Sequence, residues 1–144
     1  MKLLVLNGPN INMLGIREPD IYGRTTYADL VKTIEEVCAR EGIEVECLQS
    51  NHEGQLVDWI QGAYQRVDGI VMNPAAYTHT SVAILDALKA VGLPAVEIHI
   101  SNIYEREEFR HHSYPGMACV KTIYGHGVKG YEEAILFLKD YLSK

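Results

Sequence analysis

Short apolar runs alternate with amphipathic stretches along all 144 residues, and this alternation restricts the fold more than any other feature. Residues 2–6 are the first apolar run. Residues 8–24, rich in Gly, Pro and Asn, read as a long loop. Over 26–40, Tyr27, Leu30, Val31, Ile34, Val37 and Cys38 take the i, i+3, i+4, i+7 spacing of one buried helical face. Thr26 with Asp29 makes an N-terminal cap and Gly42 supplies the stop. Residues 44–49 alternate polar and apolar, as a strand with one covered face does. The same reading places helices over 55–65, 80–90 and 128–142 and strands over 69–72, 95–98 and 119–124. Ile84, Leu85 and Leu88 form the inward side of the 80–90 helix.

Strands separated by helices imply a parallel sheet with helices on both faces, and right-handed crossovers leave few topologies. The expectation is therefore an α/β, three-layer, single domain spanning 1–144. Its five-stranded parallel sheet takes the flavodoxin-like order, with ligands bound in the crevice at the carboxyl ends of the strands. A net charge of −6 without a basic stripe argues against a nucleic-acid partner. No uncharged apolar run is long enough for a membrane helix. The apolar start turns polar at Asn7 and no small-residue cleavage site follows, so a buried first strand is expected rather than a signal segment. Cys38, Cys47 and Cys119 are widely spaced, lack a CxxC pair and suit a reducing, cytoplasmic compartment.

The crevice rule directs attention to the strand exits. They read Asn7-Gly8-Pro9-Asn10-Ile11-Asn12, Asn73-Pro74-Ala75-Ala76-Tyr77-Thr78-His79 and Glu97-Ile98-His99-Ile100-Ser101-Asn102. All three are crowded with amides, hydroxyls and imidazoles, whereas the opposite ends are bland. The loop through Arg17 and Tyr22 is far longer than the usual βα connection of about two to six residues, as lids and binding loops are. A guanidinium beside a phenol favours the phenolate, so Arg17 would make Tyr22 a usable base. The structural alternative, Tyr22 packing the loop and Arg17 pairing with Glu18 or Asp20, fits the spacing as well. Glu97 and His99 share a strand face, so the carboxylate can orient the imidazole. His79 precedes a helix and can serve as its cap. Arg106 and Arg110 share a helical face, suited either to an anion or to pairing with Glu107. Asp86 reads as a solvated mid-helix carboxylate. The histidines have neither HxxxH nor HxH spacing and no cysteine beside them, so no metal site is expected. Gly125-His126-Gly127-Val128-Lys129-Gly130 matches GxGxxG, but no further strand and acidic residue follow, so it reads as a tight turn and a close helix contact.

Three blocks together resemble the type II 3-dehydroquinate dehydratases over nearly the whole chain. They are Leu6 to Pro19 followed by Tyr22-Gly23, Asn73 to Ser81, and Glu97 to Ile103 followed by Arg106-Glu107-Glu108-Phe109-Arg110. The family usually carries Gly where Ala75 stands, a polar or longer residue is expected at Ile84, and the stretch around Met117 and 121–126 is less familiar. The resemblance implies a hydro-lyase that converts 3-dehydroquinate to 3-dehydroshikimate through an enolate. Tyr22 would be the base, Arg17 its partner, Asn10 the holder of a water on the enolate oxygen, and His99, oriented by Glu97, the acid. Asn73, His79 and Arg110 would bind ring hydroxyls, and Ile100 and Ser101 the carboxylate. Arg106 and Asp86 would support them, Asp86 from a neighbouring subunit. The resemblance also implies no metal, nucleotide or lysine Schiff base, a small-molecule substrate, and a homo-oligomer of trimers stacked into a dodecamer. The setting is the shikimate pathway of aromatic amino acid biosynthesis, with quinate breakdown as the alternative. A flavodoxin-like FMN- or phosphate-binding module would need a Ser/Thr/Gly-rich loop after the first strand, where this chain has Asn-Gly-Pro-Asn-Ile-Asn. A receiver-type signalling domain would need an acidic cluster there.

Overall fold

The computed structural model describes residues 1–16, 18–22 and 24–144, without the side chain of Tyr22; the expectations for Arg17 and for the Tyr22 phenol fall outside the described residues. The continuous apolar runs at 2–6, 69–72 and 95–98 become strands that are covered on both faces. In β1 (Lys2–Asn7), Leu3 and Val5 enter one core and Leu4 and Leu6 the other. The sheet continues with β2 (Glu44–Gln49), β3 (Gly69–Asn73), β4 (Ala95–His99) and β5 (Lys121–Tyr124). Its order is β2-β1-β3-β4-β5 and all neighbours are parallel, the expected flavodoxin-like arrangement. The order reverses between β1 and β3, which opens a crevice at their carboxyl ends.

The helices are α1 (Pro19–Tyr22), α2 (Tyr27–Arg40), α3 (Glu53–Gly62), α4 (Val82–Val91) and α5 (Lys129–Leu142). Helices α2 and α5 cover the Leu3/Val5 face with Leu30, Ile34, Tyr131, Ala134, Ile135 and Leu138. Helices α3 and α4 cover the other with Leu56, Ile60, Ile84 and Leu88. The cap on α2 is a reciprocal box: Thr26 Oγ1 accepts from Asp29 N–H, and Asp29 Oδ2 from Thr26 N–H. Gly42, at φ 71°, ends that helix in the left-handed region.

The structure revises some boundaries. Helix α3 runs 53–62, not 55–65, and Gln65 already has φ 59°. Helix α4 starts at Val82, and its cap is Ser81, whose Oγ accepts from Ile84 N–H at 2.9 Å. His79 instead ends a 3-10 turn, Ala75–His79, so it does not cap α4. The 8–24 loop contains a 3-10 turn at Ile11–Met13 as well as α1. Gly125 and Gly127 form the tight turn, both with positive φ. Gly130 lets α5 approach β4: a Cβ there would stand 2.3 Å from Ile98 Cδ1.

Candidate active site

A cavity opens at the carboxyl ends of β1, β3 and β4. Asn10, Asn73, His79, His99, Ile100, Ser101, Arg106 and Arg110 all line it. Asn10 is held with φ 71°, its N–H donating to Asn51 Oδ1 at 3.0 Å. The exits of β1 and β3 nearly touch. Gly8 N–H donates to Asn73 O at 2.8 Å, and a Cβ on Gly8 would lie 2.6 Å from Pro74 O. Only glycine permits that approach. Ala75 carries φ 53°, a conformation in which its Cβ is strained. The glycine expected at this position is therefore the residue the backbone favours.

Glu97 and His99 project from the same face of β4 and are 1% and 5% exposed. Glu97 Oε2 is 3.3 Å from His99 Nε2, but out of line for a hydrogen bond, so Nε2 has no hydrogen-bond partner among the described residues. Two hydroxyls hold the carboxylate. Ser113 Oγ donates to Oε2, and Thr122 Oγ1 donates to Oε1 at 3.1 Å. An ionised carboxylate only accepts, so the Ser113 hydroxyl sends its proton to Oε2 while its oxygen accepts the Gly116 N–H at 3.0 Å. Burial alone would drive the Glu97 pKa up, yet His99, Ser113 and Thr122 outweigh it and hold the carboxyl below its ordinary value. Glu97 is thus an anion placed to stabilise an imidazolium at His99.

His79 Nδ1 lies 2.8 Å from the His112 carbonyl. A carbonyl only accepts, so Nδ1 carries the proton and Nε2 keeps its lone pair. Burial, followed by His99 and Arg110, lowers the His79 pKa against the opposing carbonyl and Glu97, which keeps the ring neutral at pH 7. Arg110 lines the cavity while its Nε donates to Glu107 Oε2 at 2.8 Å, so the pairing with Glu107 is present and the residue also borders the cavity. Arg106 reaches Ser101 Oγ at 3.5 Å and Glu18 Oε2 at 3.9 Å. The second contact, with Ile21 beside Ile100 and Ser101 at a wider adjoining opening, puts the α1 segment at the cavity mouth. Gly125 and Gly127 N–H groups donate to the carbonyls of Ser101 and Ile100, each at 3.1 Å, and fix those peptides.

Asp86 is exposed on α4 and does not line this cavity. Among the described residues no group of three His, Cys, Asp or Glu is placed to share a metal ion, and no helix is long and apolar enough to cross a membrane. The sequence reading missed Ser113, Thr122 and Tyr131. The first two lie outside the three strand-exit blocks, and the third shares the apolar periodicity of α5.

The class II dehydroquinase family profile matches residues 1–139. The chain belongs to that family. A 3-dehydroquinate dehydratase of Clostridium acetobutylicum is 56% identical over 144 residues, all of both chains. The type II dehydroquinase structure from Butyrivibrio crossotus superposes with a TM-score of 0.93 at 53% identity, covering 100% of this chain and 98% of that one. The Propionibacterium acnes type II dehydroquinase gives 0.93 at 46%, covering 96% of each. As in any class II dehydroquinase, the reaction is dehydration of 3-dehydroquinate. Of the residues that the resemblance singles out, eight line this cavity and Glu97 lies beside His99; Asp86 does not line it, and Arg17 and the Tyr22 side chain lie outside the described residues.

Proposed function

We propose that this cavity dehydrates 3-dehydroquinate to 3-dehydroshikimate in two steps. The phenolate of Tyr22 takes a proton from the carbon beside the ring ketone, with Arg17 stabilising that phenolate. The electron pair of the broken C–H bond forms the enolate. Asn10 holds a water against the enolate oxygen, placing hydrogen-bond donors where charge develops. The enolate then collapses, the C–O bond breaks, and His99 gives its proton to the departing hydroxyl, which leaves as water. With Glu97 ionised at Nε2, the imidazolium that precedes this transfer is stabilised. Asn73, neutral His79 and Arg110 hold ring hydroxyls; His79 Nε2 accepts one. The N–H groups of Ile100 and Ser101, with Ser101 Oγ and Arg106 nearby, hold the carboxylate.

One observation carries this reading: eight of the named residues converge on one cavity, with a buried, hydroxyl-held carboxylate directly behind its histidine. We assign the reaction to aromatic biosynthesis through the shikimate pathway in the cytoplasm. We further propose a trimer-based dodecamer in which exposed Asp86 completes a neighbouring subunit's site. Ultraviolet absorbance tests the reaction, because the product conjugates its ketone with a new double bond and the substrate does not. Added 3-dehydroquinate should give a rising trace; a flat trace from folded protein would refute the assignment.

A further inference from the structure

We propose that Tyr131 is a positioning residue that fixes the amide of Asn73 for substrate. The inference rests on the reading that Asn73 binds a ring hydroxyl. Tyr131 lies on the buried face of α5 with Ala134, Ile135 and Leu138, and it is fully buried. Phenylalanine would pack there equally well, and burying a hydroxyl is costly unless it is hydrogen-bonded. Its hydroxyl lies between Asn7 Oδ1 at 2.7 Å and Asn73 Nδ2 at 2.9 Å. Asn7 and Asn73 are register partners at the ends of β1 and β3, where the strand order reverses. Both are buried, at 0% and 3% exposure.

Counting protons leaves one arrangement. Asn73 Oδ1 accepts the Ala75 N–H at 3.1 Å, so Nδ2 faces Tyr131. That amide nitrogen only donates, so the tyrosine oxygen accepts from it and sends its single proton to Asn7 Oδ1. The chain of donors runs Asn73 to Tyr131 to Asn7. Burial pushes the Tyr131 pKa up, so its proton stays in place. Asn73 keeps one N–H and one oxygen lone pair for the cavity, each with a defined direction. Without the hydroxyl the inner N–H loses its acceptor. The terminal amide torsion is soft, so with only the Ala75 N–H still holding Oδ1 the outer N–H loses its defined direction at the hydroxyl subsite.

The test is steady-state kinetics on Tyr131→Phe, Asn73→Ala and the double variant, with circular dichroism and Tm as folding controls. Tyr131→Phe should raise KM for 3-dehydroquinate about five- to tenfold, one lost hydrogen bond, with kcat within about threefold. The double variant should match Asn73→Ala alone, because the hydroxyl acts only through that amide. A lowered Tm with unchanged KM would overturn the proposal, as would effects that multiply in the double variant. If Asn73→Ala leaves KM unchanged, the hydroxyl reading of Asn73 falls and this proposal with it. If Asn73→Ala raises KM and folded Tyr131→Phe does not, only the positioning role fails. Should Tyr131→Phe not fold, the side-chain amide of Asn73 in the intact protein decides by NMR. One of its two amide protons is expected to be strongly protected from exchange with solvent; two protons that exchange as fast as those of an exposed asparagine would overturn it.

Discussion

Ser113→Ala should move the acid limb of the kcat–pH profile to higher pH. The Ser113 hydroxyl donates to Glu97 Oε2, in a site where the carboxylate is 1% exposed. A hydrogen bond to a charged group contributes about 1.5–3 kcal/mol. One pKa unit corresponds to about 1.4 kcal/mol, so removing it should raise the Glu97 pKa by roughly 1–2 units. Thr122, still donating at 3.1 Å, keeps the shift near the lower end. The groups around Glu97 are His99, Ser113, Thr122, His79 and Cys119, whose thiol burial and Glu97 together push up to about 12. Apart from Thr122, none of these groups supplies another hydroxyl. The sign follows from linkage: Glu97 is depressed in the folded state. Its stabilisation is present above the ordinary value of 4.5 and is lost as pH falls through the folded value. In Ser113→Ala the acid limb of activity rises with the folded value, while the urea-stability contribution of Glu97, still lost from 4.5 downward, becomes smaller and is exhausted at a higher pH. Ser113→Thr, which retains a hydroxyl, should restore the wild-type limb. Coincident acid limbs in wild type and Ser113→Ala would refute the reasoning.

Ala75→Gly should stabilise the fold by about 0.5–1 kcal/mol, since relief of a left-handed alanine exceeds the added chain entropy; urea midpoints measure it. The His79 imidazole should titrate below 6.5, with Nδ1 protonated in the neutral form, as read by NMR of the ring nitrogens. Asp86→Ala should leave the subunit fold intact, because the residue is exposed, yet lower activity if a neighbouring subunit uses it; light scattering should show an assembly far larger than a dimer, and an active monomer would contradict it.

The sheet was legible because a strand buried on both faces must be apolar throughout, as Leu3-Leu4-Val5-Leu6 is. The α2 cap was legible because Thr26 and Asp29 satisfy each other locally. The strand exits stood out because polar residues crowd where the apolar runs end. Other features depend on contacts distant in sequence. Ser113 meets Glu97 across 16 residues and Tyr131 meets Asn7 across 124, so neither leaves a local pattern. Tyr131 is hidden further, since an aromatic on an apolar helical face reads as core. His79 was a plausible cap until Ser81, two residues on, proved to hold the Ile84 N–H. Ala75 shows how structure explains a departure: its positive φ accounts for the glycine expected there.

The measurement that bears most directly on the mechanism is the ratio of solvent-deuterium exchange to turnover in His99→Ala. If Tyr22 removes the proton and His99 only assists departure of the hydroxyl, this variant still forms the enolate. The enolate then reverts and carries deuterium into the substrate carbon. Turnover should fall by about a hundred- to ten-thousand-fold, the usual loss on removing a general acid, while exchange continues. Tyr22→Phe should lose both. Should the closed site shield the abstracted proton, rapid-quench detection of accumulated enolate in His99→Ala replaces the exchange readout. Normal turnover in His99→Ala would contradict the account outright.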